Sequence, residues 1–174
     1  RFVMVEPTRA LHVDGVVKDF SEAVTSRVLH GVDLEVHAGE LVALMGPSGS
    51  GKSTLLNIAG LLDRPTAGRV WIDGVDTGGL EARGLTELRG RKLGFIFQFH
   101  HLLPAFSAVE NVLLPSWGQL GVPSSEMRTR AEDLLREVGL GARLNYLATK
   151  LSGGQAQRVA VARALVHRPC LVLA

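Results

Sequence analysis

Residues 46–54 read GPSGSGKST, and this stretch decides the fold. Gly46, Gly51, Lys52 and Ser53 match the pattern G-x-x-x-x-G-K-[ST] in full. Glycines suit such a loop because backbone N–H groups can curl around phosphate oxygens without a Cβ in the way. The apolar run ELVALM precedes the loop, and LLNIAGLL, with helical spacing, follows it. Strand, glycine-rich loop and helix together predict a phosphate-binding loop.

The loop predicts a site for a nucleoside triphosphate and Mg²⁺. We expect Lys52 to reach the β- and γ-phosphates and the Ser53 hydroxyl to coordinate Mg²⁺. The helix that follows directs its positive N-terminal end at the anion. A glycine-rich turn without a ligand is the alternative, and the strand-to-helix context disfavours it. The nucleotide-contacting positions predicted in this loop are Gly46, Pro47, Ser48, Gly49, Ser50, Gly51, Lys52, Ser53 and Thr54.

Strand candidates alternate with helix candidates along the chain. The β candidates are apolar or partly alternating runs at residues 11–20, 28–36, 40–45, 69–76, 93–98 and 170–174. Residues 40–45, ELVALM, are nearly continuously apolar, as expected of a buried strand. The polar, arginine-rich segment before residue 93 is left open as a loop or a short helix. The alternation predicts an α/β fold with a mainly parallel sheet and an N-terminal β portion.

Helical patterns dominate after residue 98. Ser107 and Glu110 form an S-x-x-E capping box at the start of one predicted helix. A second amphipathic helix is expected to end at Gly139, and its apolar face consists of Met127, Ala131, Leu134, Leu135 and Val138. A last helix is predicted from about Gly153 to His167, before Pro169.

We therefore expect a single domain over 1–174. Its core would comprise about 1–106 and 148–174, with a helical subdomain at about 107–147.

Composition limits the class of protein. The 174 residues are 46% apolar and 21% charged, which is typical of a globular chain, and the net charge of +2 argues against nucleic acid as a partner. A single cysteine, Cys170, excludes an internal disulfide and fits a reducing compartment. No apolar run approaches the roughly 20 residues needed to span a bilayer. We expect any membrane role to come through a partner.

A second glycine-rich element lies at residues 151–155, LSGGQ. Ser152 and Gln155 form an S-x-x-Q capping box on a helix whose first residues are Gly153 and Gly154. Glycine costs about 1 kcal/mol relative to alanine inside a helix, so its benefit here would be an exposed backbone that can press against an anion. A capped helix with a flexible start is the alternative, and it loses weight beside a complete phosphate loop.

GPSGSGKST followed by LSGGQAQRVAVARAL resembles the ATP-binding subunits of ABC transporters over nearly the whole chain. The resemblance implies ATP hydrolysis with Mg²⁺ and a head-to-tail homodimer. In that dimer Ser152, Gly153, Gly154 and Gln155 would contact ATP held by the opposing subunit. It also implies that Gln98 is the glutamine that approaches Mg²⁺ and the attacking water. Phe20 would be the aromatic residue that stacks on adenine.

Within the family, residues 95–115 are most similar to the lipoprotein-releasing ATPases of Gram-negative bacteria. The resemblance implies permease partners that meet the segment from Gln98 to Val112, and a location on the cytoplasmic face of the inner membrane. A cell-division type of ABC ATPase that regulates a membrane complex, or a macrolide-exporter type, are the alternatives. A DNA-repair ATPase is disfavoured, because its long insertions are missing between the two motifs. His100 and His101 lack a clear third ligand, which disfavours a metal site there.

The family's acidic Mg²⁺ ligand, its water-polarising glutamate and its switch histidine would follow the strand at residues 170–174. The chain stops at Ala174 and starts at Arg1, although Met4 could be a true start. On this ground we expect a fragment that binds ATP and hydrolyses it poorly. Lys52 and Gln98 are its catalytic candidates, and Ser53 and Gln98 its metal-ligand candidates.

Overall fold

The computed structural model describes residues 8–21 and 25–174. It divides the chain into two compact units, residues 1–89 and 90–174. The N-terminal unit contains the glycine-rich loop at 46–54, and the C-terminal unit contains Gln98 and the LSGGQ element.

The N-terminal unit is built on a four-stranded antiparallel sheet with the strand order β2-β1-β3-β4. Its strands are β1 (Arg9–Ser21), β2 (Thr25–His37), β3 (Ala67–Ile72) and β4 (Val75–Asp76). Helix α1 (Lys52–Ala59) follows the glycine-rich loop and buries Leu55, Ile58 and Ala59. The valine- and leucine-rich runs predicted as strands thus form the sheet, and the core of this unit includes Leu11, Val13, Val16, Val70 and Ile72.

The strand predicted at residues 40–45 is wrong. These residues adopt no regular secondary structure, and Leu41 and Met45 are 99% and 90% exposed. Among the described residues, the paired strands of this unit are β1 to β4, and residues 40–45 belong to none of them. A run of apolar side chains indicates a preference for burial, but only a neighbouring strand supplies the backbone hydrogen bonds of a sheet.

The arginine-rich segment before residue 93 forms a helix, α2 (Ala82–Lys92), which includes the boundary between the two units. In the C-terminal unit β5 (Leu93–Phe95) pairs in parallel with β6 (Leu171–Leu173). Three further helices are α3 (Ala108–Leu120), α4 (Ser125–Glu137) and α5 (Gly153–Leu165). Two short 3₁₀ turns, Gly141–Arg143 and Ala148–Lys150, lie between α4 and α5.

Helices α3, α4 and α5 share one apolar core, which confirms the helical pattern read from the sequence. Ala131, Leu134 and Leu135 of α4 are buried in it, and Met127 and Val138 pack against it. Helix α4 ends where predicted, because Gly139 takes a positive φ of 75° directly after the cap residue. Both predicted capping boxes are confirmed, one at the start of α3 and one at the start of α5. The proposed subdomain limits at 107–147 stay a prediction.

Candidate nucleotide-binding and signature elements

The side chain of Lys52 folds over the start of the glycine-rich loop. Its Nζ donates hydrogen bonds to the carbonyl oxygens of Gly46 at 2.8 Å and Pro47 at 2.7 Å, and to Ser50 Oγ at 3.2 Å. The residues between Gly46 and Ser50 are exposed. The loop thus contains one positively charged side chain, Lys52, and no acidic side chain. This distribution of charge favours an anionic ligand.

Helix α1 begins at the loop, and no side chain accepts a hydrogen bond from the backbone N–H groups of its first turn. Its cap residue, Gly51, has φ 86° and ψ 3°, and no side chain caps the helix. A Cβ at Gly51 would lie 2.8 Å from Leu29 Cδ2, so both the conformation and the close approach to β2 require glycine. The first turn carries no acidic residue, and Ser53 is exposed there, followed by a half-buried Thr54. The uncapped N–H groups and the helix dipole favour a phosphate at this end.

Phe20 lies near the end of β1 in the same unit as the loop. The residue is 42% exposed. Lys18 Nζ lies over the ring, 5.0 Å from its centroid. The exposed ring is available for stacking on a flat ligand.

The LSGGQ element forms the capped start of α5. Ser152 N–H donates to Gln155 Oε1 at 3.0 Å, and Gln155 N–H donates to Ser152 Oγ at 3.4 Å. Arg158, one turn further, donates to the Gly154 carbonyl at 3.3 Å and to the Val138 carbonyl at 3.0 Å. These contacts join the start of α5 to the end of α4 and hold the turn in place.

Gly153 and Gly154 have no structural reason to be glycine within the described part of the chain. A Cβ added at either would meet no heavy atom within 4 Å, beyond the neighbouring residues and the helix's own backbone. Neither residue has a positive φ. Glycine at the start of a helix is costly compared with alanine. A ligand or partner from outside the chain would explain why these two positions lack a side chain.

The segment after β5 presents apolar side chains to solvent. Gln98 is exposed in a bend three residues after the strand. The exposed fractions of Phe97, Phe99 and Leu103 are 41%, 73% and 43%. His101 packs its ring against Phe97, with 5.4 Å between the ring centroids.

Two side chains that the sequence analysis missed hold this segment. Arg163 of α5 donates to the carbonyl of His101 at 2.9 Å and to that of His100 at 2.7 Å. Burial lowers the pKa of this guanidinium. Asn111 of α3 is fully buried, and its side chain bonds to backbone groups of Leu103, Phe106 and Ser107. The carbonyl contacts of Arg163 span 62 and 63 residues, and no local pattern indicates them.

The predicted site residues are divided between the two units, and hydrogen bonds connect two sets of them. The loop residues 46–54 and Phe20 belong to the N-terminal unit, whereas Gln98 and residues 152–155 belong to the C-terminal unit. Within their groups the loop residues are joined through Lys52, and the LSGGQ residues through the Ser152–Gln155 cap.

The model of one protein family, described as ABC transporter, matches residues 29–174, a range that contains both glycine-rich elements. The chain belongs to the ABC transporter family. It is 58% identical to the lipoprotein-releasing system ATP-binding protein LolD of Anaeromyxobacter dehalogenans, over 98% of this chain and 73% of that protein. It is 55% identical to LolD 1 of Rhodopseudomonas palustris, over 94% of this chain and 74% of that protein.

A solved structure of the same family supports the fold. The dimeric ATP-binding cassette MJ0796, bound to ADP and Pi in a post-hydrolysis state, superimposes with a TM-score of 0.81 at 43% identity. The match covers 93% of this chain and 72% of that one. The predicted ABC ATPase cassette fold is confirmed, with an antiparallel N-terminal sheet and a helical portion. The mainly parallel sheet is not observed, because among the described strands β5 and β6 form the one parallel pair and the other pairings are antiparallel. No helix in the described parts of the chain is long and apolar enough to cross a membrane.

Proposed function

We propose that this chain is the ATP-binding and ATP-hydrolysing subunit of a transporter that releases lipoproteins from the bacterial inner membrane. The observation that carries the proposal is the loop at 46–54, where the Lys52 side chain folds onto the loop at an uncapped helix start and neither the loop nor the first helical turn contains an acidic residue. Nucleotide phosphates would take the place of the carbonyl oxygens that Lys52 now contacts. All loop positions from Gly46 to Thr54 would line this phosphate site.

Mg²⁺ fits the residues at the start of α1. The Ser53 hydroxyl is exposed in the first helical turn, where it would hold the metal ion. Gln98 is exposed after β5 in the other unit, and its role as a further Mg²⁺ ligand stays a prediction from the family resemblance. When bound, the metal would neutralise charge on the phosphates during transfer. Lys52 would stabilise the same charge, and Phe20 would hold the adenine ring by stacking.

The homodimer is proposed to form through the LSGGQ turn. Gly153 and Gly154 lie exposed with space for a Cβ in the described part of the chain, and they follow directly after the Ser152 cap. ATP on one subunit would be contacted by this turn of the other. The relative MJ0796 forms a dimer with bound ADP and Pi, which supports a dimer here.

Gly154→Ala tests this arrangement, because stability and assembly should respond in opposite directions. Alanine in the first turn of α5 meets no steric obstacle, so the midpoint of thermal unfolding should stay unchanged or rise. Dimer formation with a slowly hydrolysed ATP analogue, followed by light scattering, should be lost. Gly79→Ala is the control, because Gly79 is exposed and has space for a Cβ. Gly121→Ala is unsuitable, because Gly121 has a positive φ of 74°. Dimer formation by Gly154→Ala at the wild-type level would contradict the proposal.

The membrane partner is proposed to bind the apolar segment after Gln98. Phe97, Phe99 and Leu103 are exposed there, and apolar groups of this size on a surface indicate a contact with another protein. The two LolD relatives are ATP-binding proteins of lipoprotein-releasing systems, which favours lipoprotein release over regulation of a cell-division complex. Co-purification of transmembrane subunits from the host's inner membrane, compared between wild type and Phe99→Ser, tests this step. Equal recovery of those subunits with the variant would show that the segment is not the contact.

A further inference from the structure

The ammonium group of Lys18 is fixed over the ring of Phe20. Its Nζ donates to Asp63 Oδ1 at 2.7 Å and to the Arg64 carbonyl at 2.8 Å, and the Lys18 side chain is only 13% exposed. The distance of 5.0 Å from Nζ to the ring centroid lies within the range of a cation–π contact. A partly buried lysine with two anchors is a more rigid support than a surface lysine that is free to change rotamer.

The anchors of Lys18 come from the segment that follows the phosphate-loop helix. Leu62 N–H donates to the Asn57 carbonyl at 2.8 Å, which joins this segment to the last turn of α1. Thr66 adds two bonds to the end of β1: its N–H donates to the Val17 carbonyl at 2.8 Å, and its Oγ1 accepts from Asp19 N–H at 2.9 Å. The aromatic end of β1 is thereby attached to the same helix whose start forms the phosphate site.

We infer that Lys18 is a positioning residue for the nucleobase: it holds the Phe20 ring at a fixed orientation and a fixed place relative to the phosphate loop. This inference rests on the proposed function, in which Phe20 stacks on adenine. A cation against one part of the ring leaves the exposed part for the base, and a ring that is already oriented loses less entropy on stacking. Lys18 contributes to affinity for the base and not to affinity for the phosphates.

The experiment compares two probes on the full chain by isothermal titration calorimetry: Mg-ATP, and inorganic tripolyphosphate, which has no base. Lys18→Met should weaken ATP binding about three- to five-fold, the usual size of a cation–π contribution at a partly exposed site. Tripolyphosphate affinity should not change. Lys18→Arg keeps the cation and a partner for Asp63, so it should restore most of the ATP affinity. Arg83→Met removes one charge from an exposed side chain of the same unit and controls for net charge.

Further variants separate this inference from the proposed function. Phe20→Ala should weaken ATP binding about ten-fold or more, again without an effect on tripolyphosphate. Wild-type ATP affinity in Phe20→Ala would overturn both proposals, because Lys18 acts through that ring. A loss in Phe20→Ala with none in Lys18→Met would overturn only the role of Lys18. Equal weakening of both probes by Lys18→Met would also overturn it.

The loss of an ion pair could unfold Lys18→Met, so a milder variant is included. Asp63→Asn keeps Lys18 and removes the carboxylate that fixes it. We expect about a two-fold loss of ATP affinity with circular dichroism unchanged, because the hydrogen bond from Lys18 to the Arg64 carbonyl remains. A folded Asp63→Asn chain that binds both probes like wild type would contradict the inference.

Discussion

Replacing Asn111 by alanine should destabilise the C-terminal unit substantially, because one buried amide satisfies several backbone groups. Its Oδ1 accepts from Leu103 N–H at 2.8 Å. Its Nδ2 donates to the carbonyls of Leu103 at 3.2 Å, Phe106 at 3.1 Å and Ser107 at 3.0 Å. The side chain is 0% exposed, so water cannot replace these bonds without local opening.

The expected size follows from those contacts. Leaving the Leu103 N–H unpaired costs about 1–3 kcal/mol. The Nδ2 group has two hydrogens, and losing the bonds that they donate adds about 1 kcal/mol for each hydrogen. Alanine's better helix propensity returns about 0.5 kcal/mol. The sum is a loss of about 2.5–4.5 kcal/mol. Asn111→Asp should be worse still, since it places a carboxylate against three carbonyl oxygens.

Urea unfolding measures this change in a Trp71→Phe background, where Trp117 of α3 is the remaining tryptophan and reports on the C-terminal unit. With a typical urea dependence, the midpoint should fall by about 1–2 M. Asn145→Ala, an exposed asparagine of the same unit, is the matched control and should change little. A midpoint for Asn111→Ala equal to that of the control, or an aspartate variant as stable as wild type, would refute the reasoning.

Three further predictions concern the loop, the segment after Gln98 and pH. Gly51→Ala should weaken nucleotide binding and lower the unfolding temperature, because its Cβ would clash with Leu29 and its φ is positive; calorimetric titration and a thermal scan check both. Arg163→Ala should raise hydrogen exchange at residues 99–103 without altering ATP affinity, and Arg163→Lys should restore part of the protection; unchanged exchange in the alanine variant would contradict this. Burial lowers the pKa of His167, so the unfolded chain binds a proton near pH 6.5 that the folded chain does not accept until lower pH. Stability should therefore fall as pH drops below about 6.5, and less so in His167→Gln; an equal fall in that variant would exclude His167 as the source.

Local patterns were sufficient for much of the structure. The capping boxes at Ser107 and Ser152, the apolar face of α4 and the end of α4 at Gly139 depend on residues within one or two turns of each other. The sequence therefore contains the whole reason for each. The prediction of a strand at 40–45 was wrong for the opposite reason. The hydrogen bonds of a sheet need a neighbouring strand, and the apolar run does not determine whether one is present.

The supporting side chains of the site could not be predicted. Arg163 and the carbonyls that it contacts are more than 60 residues apart, and Lys18 and Asp63 are 45 apart. Asn111 occupies a position where an apolar residue would fit the helical pattern, and only the backbone groups around it explain an amide there. Recognition of the glycine-rich loops required the motif alone, whereas their support depends on tertiary contacts.

The most direct test of the central claim is the affinity of the full chain for Mg-ATP, measured by calorimetry for wild type and Lys52→Ala, with Lys150→Ala as the charge control. Lys52 is the only charged side chain of the loop, and a charge-assisted bond of this kind contributes about 1.5–3 kcal/mol. We predict that Lys52→Ala weakens binding by about ten- to a hundred-fold, while Lys150→Ala binds like wild type. Wild-type affinity in Lys52→Ala would contradict the assignment of residues 46–54 as the nucleotide site.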